Sequence, residues 1–194
     1  MKPQLAAALL IITALGTGPV AAQMRIEGQT FEARTQLAEA DLRLNGAGLR
    51  GMAWLKVYVV GLYIGRKATT PAQVFAAPGP KRLQLRMLQD VPAKEFVKAF
   101  NRGVTRNTPE GEMPALRERM DRFDDVINGV GKVKKGDVVN LDSMPGKGLV
   151  FTVNGVVHGA PIVGDDFYAA LLRIFIGEKP TDEDLKRALL GAAT

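Results

Sequence analysis

Apolar positions in this chain change period several times, and each change marks an element. Lys81 to Leu88 alternates strictly, with Leu83, Leu85 and Met87 on one face and Arg82, Gln84 and Arg86 on the other. That is the pattern of a half-exposed strand. Trp54 to Ile64, WLKVYVVGLYI, is almost continuously apolar and rich in β-branched and aromatic residues. It predicts a central strand covered on both faces. Residues 24–45 alternate loosely around Gly28 and run into Asn45-Gly46, which predicts short strands and a turn. After Pro92 the period lengthens. Phe96, Val97, Phe100 and Val104 predict a helix over 92–105, and Leu116, Met120, Phe123 and Ile127 another over 114–128, stopped by Gly129.

Hairpins return afterwards. Residues 137–142 and 149–153 read as strands paired around Pro145-Gly146, and Asn154-Gly155 is a type I′ signal leading into 156–158. Asp165 and Asp166 open an amphipathic helix that reaches Phe175 and ends at Gly177. Thr181 with Asp184 resembles a capping box for a last helix reaching Leu190. Strands in hairpins, interrupted by helices in the middle and at the end, predict an α+β fold. Its antiparallel sheet carries a layer of helices.

Composition narrows the chemistry. The 194 residues include no Cys and one His, which removes thiol nucleophiles, disulfides, Cys-held zinc and multi-His metal sites. No cofactor is expected. The net charge of +6 comes from 26 Lys and Arg against 20 Asp and Glu. The cations are scattered over several elements, with no basic run interleaved with aromatics. We expect no nucleic-acid partner and a lesser attraction for anionic ligands or envelope lipids. Oligomeric state is not legible.

Residues 1–22 carry Lys2, an apolar stretch from Leu5 to Leu15, a break at Gly16, Gly18 and Pro19, and small residues at Val20 and Ala22. This predicts a cleaved export signal over 1–22 and one domain over 23–194. The expected location is periplasmic. The apolar stretch is too short to span a bilayer.

Four candidate motifs carry little chemistry. Gly46, Gly48 and Gly51 spell G-x-G-x-x-G, but a strand follows where a dinucleotide loop needs a helix. The glycines are expected to shape a turn or bulge. Ser143, read in a turn with Met144-Pro145-Gly146, and His158, read at the end of a hairpin strand, are the only Ser and His and lack a nucleophile elbow. Asp124-Asp125 and Asp165-Asp166 are read as capping and dipole acids at or near helix ends.

Arg50 differs. It stands among small residues just before the most apolar strand, with Tyr58 eight residues on. A reversal after Arg50 would bring the two side by side. An Arg fork binds a carboxylate through two hydrogen bonds, and a Tyr hydroxyl adds a third. The alternative is a structural Arg paired with a protein carboxylate.

The run LNGAGLRGMAWLKVYVVGLYI (44–64), with PGKGLVFTVNGVVHG and DDFYAALLRIFIGEKPTDEDLKRALLG further on, resembles chalcone isomerase-like proteins, in particular a bacterial exported branch. The resemblance implies an open-faced β-sandwich with a ligand cleft between sheet and helices. Isomerases of that family use an Arg, a Thr, a helical Tyr and Asn, and a late hydroxyl. Arg50 matches the Arg. Tyr58 stands at the Thr, Phe96 at the Tyr, Gly103 at the Asn, and Gly159 or Ala160 at the late hydroxyl. Arg with Tyr at the first two positions is the pattern of the fatty-acid-binding members. The resemblance therefore implies a non-catalytic binder of a fatty acid or another apolar carboxylate. Arg50 and Tyr58 would hold the carboxylate, and Phe96 and Phe100 would line the cavity. An intramolecular lyase of the isomerase type is the alternative, and a structural envelope module a third.

Overall fold

The computed structural model describes residues 23–192 except Ala53; the expected export signal over 1–22 lies outside the described residues. Strands β1 (Met24–Ile26) and β2 (Gln29–Phe31) form a small hairpin. Then come β3 (Arg34–Leu37), β4 (Ala40–Met52), β5 (Leu55–Ile64), α1 (Pro71–Ala76), β6 (Lys81–Met87), β7 (Val91–Pro92) and α2 (Ala93–Asn107). A 3-10 turn at Glu110–Glu112 leads into α3 (Met113–Val130) and β8 (Lys132–Val133). The chain finishes with β9 (Val138–Met144), β10 (Gly148–Val153), β11 (Val156–Val157), α4 (Asp165–Ile176) and α5 (Glu183–Leu189).

Seven strands make one antiparallel sheet in the order β11-β10-β9-β6-β5-β4-β3. Helices α2 to α5 pack on one face of it, so the fold is α+β as the hairpin pattern predicts, in the open-faced β-sandwich form that the resemblance implies. The main core lies between sheet and helices: Val60, Leu62 and Ile64 of β5 and Leu83, Leu85 and Met87 of β6 meet Phe100, Phe123, Phe167 and Leu171 from the helices. A smaller core on the far face joins Phe31, Leu42, Val59 and Tyr63 under the β1–β2 hairpin. Beside it the open face turns polar, with Arg82 gripping Asp142 through two 2.7 Å bonds and Gln84, Asn140 and Thr152 bonded in a row.

Five local expectations are corrected. Asn45-Gly46 is no turn: β4 runs straight through it, with the register against β5 slipping between Leu44 and Gly46. Asn45 is buried because its amide bonds Ala68 O at 2.8 Å and Leu189 O at 2.7 Å, and its carbonyl accepts from Ala68 N. A tertiary bridge overrides the turn propensity. Gly129 does not stop α3. Nothing crowds it, and the helix ends at Gly131, whose φ of 74° makes it the C-cap. The cap of α5 is Asp182, which accepts from Leu185 N at 3.0 Å, rather than Thr181. Asp124 is not at a helix end. It faces α2, bonded to Asn101 at 2.5 Å. Ser143 belongs to β9 instead of the turn that follows. The short helix α1, capped by Thr70, lies in a stretch too short to display a helical period.

Candidate ligand site

The site begins with the glycines of β4. Gly46 and Gly48 share the helix-side face of the strand with Arg50. A Cβ on Gly46 would lie 2.0 Å from Ala188 O, and one on Gly48 2.8 Å from Ala188 Cβ and 2.9 Å from Leu185 Cδ1. Both positions are bare so that α5 can lie directly on the strand. The G-x-G spacing thus seats a helix, and the bulges expected of these glycines fall at Leu44/Gly46 and Arg50/Gly51.

Seating α5 fixes its N-cap. Asp182 comes beside Arg50, with Oδ2 3.8 Å from Nη1. That distance exceeds a hydrogen bond, and the other oxygen of Asp182 is occupied by Leu185 N. Arg50 donates one short bond, Nη1 to Gly51 O at 2.6 Å. Its other donors have no hydrogen-bond acceptor among the described residues. The Arg50 side chain is about one-fifth exposed.

The reversal that the sequence suggests places Arg50 opposite Tyr58 in the β4–β5 register. Burial pushes the Tyr58 phenol up to about 12; the Arg50 charge pulls it down and Asp182 pushes it up. The hydroxyl therefore stays protonated at neutral pH and is a donor.

Arg50 and Tyr58 lie on the wall of a cavity of about 430 Å³ between sheet and helices. Phe96 and Phe100 line the same cavity, so all four residues singled out from the sequence meet there. Deeper walls come from Phe123 and Ile127 of α3, Phe151 of β10 and Ile174 of α4. Phe100 and Phe123 contact edge to face with centroids 4.9 Å apart, and Phe123 meets Phe151 at 5.8 Å. Such contacts hold the walls in place. The volume falls in the ~300–1,000 Å³ range of small-molecule pockets.

The charged lining residues are Arg50, Asp90 and Glu95. Asp90 is occupied by Lys132 at 2.9 Å and by the Lys135 N–H. These bonds hold its carboxyl below the usual range, the backbone bond acting most strongly. Glu95 points out from the first turn of α2. Sequence reasoning missed Asp182, because its approach to Arg50 depends on how α5 sits on distant β4.

The positions matched to other isomerase residues do not meet in the cavity. Gly103 packs α2 against α4, where a Cβ would lie 2.7 Å from Ile174 Cγ2. Gly159 packs against Val126 of α3. His158 stands at the edge of the sheet, 6.1 Å from the Phe151 ring. Among the described residues no cluster of His, Asp or Glu is suited to hold a metal.

The family model described as chalcone isomerase-like matches residues 23–191. The chain belongs to the chalcone isomerase-like family. Among solved structures it is similar to a fatty-acid binding protein of Arabidopsis thaliana, with 17% identity and a TM-score of 0.68 over 87% of this chain and 96% of that one. The likeness concerns the fold. No curated protein matches the chain closely enough to count as a relative.

Proposed function

We propose that this protein is an exported, non-catalytic binder of a fatty acid or a similar apolar carboxylate. The observation that carries the reading is the meeting of Arg50 and Tyr58 on one wall of a mostly apolar cavity. Arg50 offers free donors for a carboxylate, and Tyr58 adds a neutral O–H. A charged hydrogen bond in such a low-dielectric place is worth more than in water. The aromatic and aliphatic walls then take the chain by simple burial. The likeness to the Arabidopsis fatty-acid binding protein supports the same ligand class.

The chemistry of an isomerase finds less support. Phe96 replaces a hydroxyl by a bare ring, and Gly103 is spent on helix packing. Tyr58, pushed up to about 12, is far from the range near neutrality that suits proton transfer. Export is supported by the pattern of residues 1–22.

The test is mass spectrometry of ligands extracted from protein purified from its own cell envelope. We expect one or more long-chain carboxylates in the native protein and their loss in Arg50→Ala. Turnover of a chalcone or related enone that depends on Arg50 would overturn the reading.

A further inference from the structure

Two features beside the cavity are left unexplained by a ligand inside it. The half-exposed and exposed wall residues mark the mouth: Leu55 and Val57 from β5, and Pro92, Glu95 and Phe96 around the start of α2. Trp54 immediately precedes Leu55 in the β4–β5 turn and is 87% exposed. It is the only Trp of the chain. On the other side of the mouth, α2 turns Phe96 and Phe100 inward. Outward it presents Lys94, Lys98, Arg102 and Arg106, all exposed and spaced by four residues. Spacing by four lays them along one side of the helix. None of the four belongs to an ion pair among the described residues, where Asp90 is tied to Lys132 and Asp182 stands beside Arg50.

We propose that the cavity mouth docks on an anionic lipid bilayer. The Trp54 ring enters the headgroup region and the α2 cations lie over the lipid phosphates. An apolar ligand then passes between bilayer and cavity without crossing water. This rests on the reading of the cavity as a fatty-acid site.

Size and charge favour a lipid surface over a protein partner. One indole ring supplies about 150–250 Å² of contact, against about 800 Å² per partner in a stable protein interface. Beside it, Leu55 is only half-exposed, and the exposed Lys56 is bonded to Glu27 at 2.7 Å. A single Trp suits the bilayer interface, where the ring is buried and its N–H stays wet. Anionic leaflets attract cations close to the surface, and the chain's net charge of +6 has the required sign.

The test uses the purified protein with phosphatidylcholine vesicles, with and without phosphatidylglycerol. Trp54 reports directly, since it supplies all the indole emission. We expect a blue shift and co-sedimentation with the anionic vesicles, both weakened by salt. Each cation near the leaflet contributes about five-fold, so K98Q/R102Q should bind roughly 30-fold more weakly. Trp54→Ser should also lose co-sedimentation, and both variants should keep fatty-acid affinity. No shift at low salt, or K98Q/R102Q binding like the native protein, would overturn the proposal. So would a shift that follows protein concentration without vesicles, which would mark a second copy as the partner. Arg50→Ala separates the two readings: it should lose fatty acid and still dock. A native protein that binds fatty acid and does not dock overturns the membrane proposal alone. Fatty-acid affinity unchanged in Arg50→Ala overturns the ligand reading alone.

Discussion

Gly46→Ala examines the claim that the glycines of β4 exist to seat α5. The added methyl would lie 2.0 Å from Ala188 O, where ordinary contact starts at 3.4 Å. The clash is with helix backbone, which has no rotamer to turn away. Either α5 or the strand must retreat by more than an ångström. Overpacking of this kind costs about 1–3 kcal/mol. Retreat of α5 also pulls Leu189 O from the buried Asn45 amide, a 2.7 Å bond. An orphaned buried donor adds roughly 1–3 kcal/mol. The sum, about 2–6 kcal/mol, would lower Tm by roughly 5–20 °C in a chain of this size. Gly48→Ala should cost less, because its nearest atoms are side-chain carbons at 2.8 and 2.9 Å. Urea and thermal denaturation followed by circular dichroism would measure both. A Gly46→Ala protein as stable as the native one, or a Gly48→Ala protein less stable than Gly46→Ala, would refute the reasoning.

Asp182→Asn keeps a residue able to cap α5 and removes the charge 3.8 Å from Arg50. At that distance a unit charge is worth about 1 kcal/mol in a water-like surrounding, so fatty-acid affinity measured by titration calorimetry should rise about five-fold. Burial raises Tyr58 and Tyr63 to about 12 and Tyr168 well above its ordinary value. The native protein should therefore show little tyrosinate absorbance at pH 10, where urea-unfolded chain is half ionised. The folded state holds these protons longer, so the stability they contribute is complete below pH 10 and lost as pH climbs towards 12. Asp124 has one buried oxygen with no partner and burial holds its carboxyl above the usual range. Its contribution to stability is complete below the unfolded value near 3.8 and falls as pH rises through the native one. Asp124→Asn should gain stability relative to the native protein between pH 4 and pH 8 in urea titrations.

Much of this fold is legible because periodicity reports burial. Strands β5 and β6 and helices α2, α3 and α4 each show one face to the core, and their patterns place them within a few residues. Two misreadings have different causes. The Asn45-Gly46 turn signal is overridden by a tertiary contact, since Asn45 bridges to Leu189 across most of the chain, whereas of two nearby glycines it is Gly131, with positive φ, and not Gly129 that caps α3. The site is legible to the same degree. Arg50 and Tyr58 follow from one hairpin, and Phe96 and Phe100 from one helix face. Asp182 was hidden because no spacing in the sequence encodes the docking of α5 on β4. Asp124 was hidden because the α2–α3 pairing is not written in the period of either helix.

Acid and ester versions of one ligand test the central claim most directly. A long-chain fatty acid and its methyl ester share the chain and differ only at the group meant for Arg50 and Tyr58. The native protein should bind the acid at least ten-fold more tightly, as expected when about 1.5–3 kcal/mol of charged hydrogen bonding is at stake. In Arg50→Ala that preference should vanish while affinity for the ester stays. Equal affinity for acid and ester in the native protein would contradict the account.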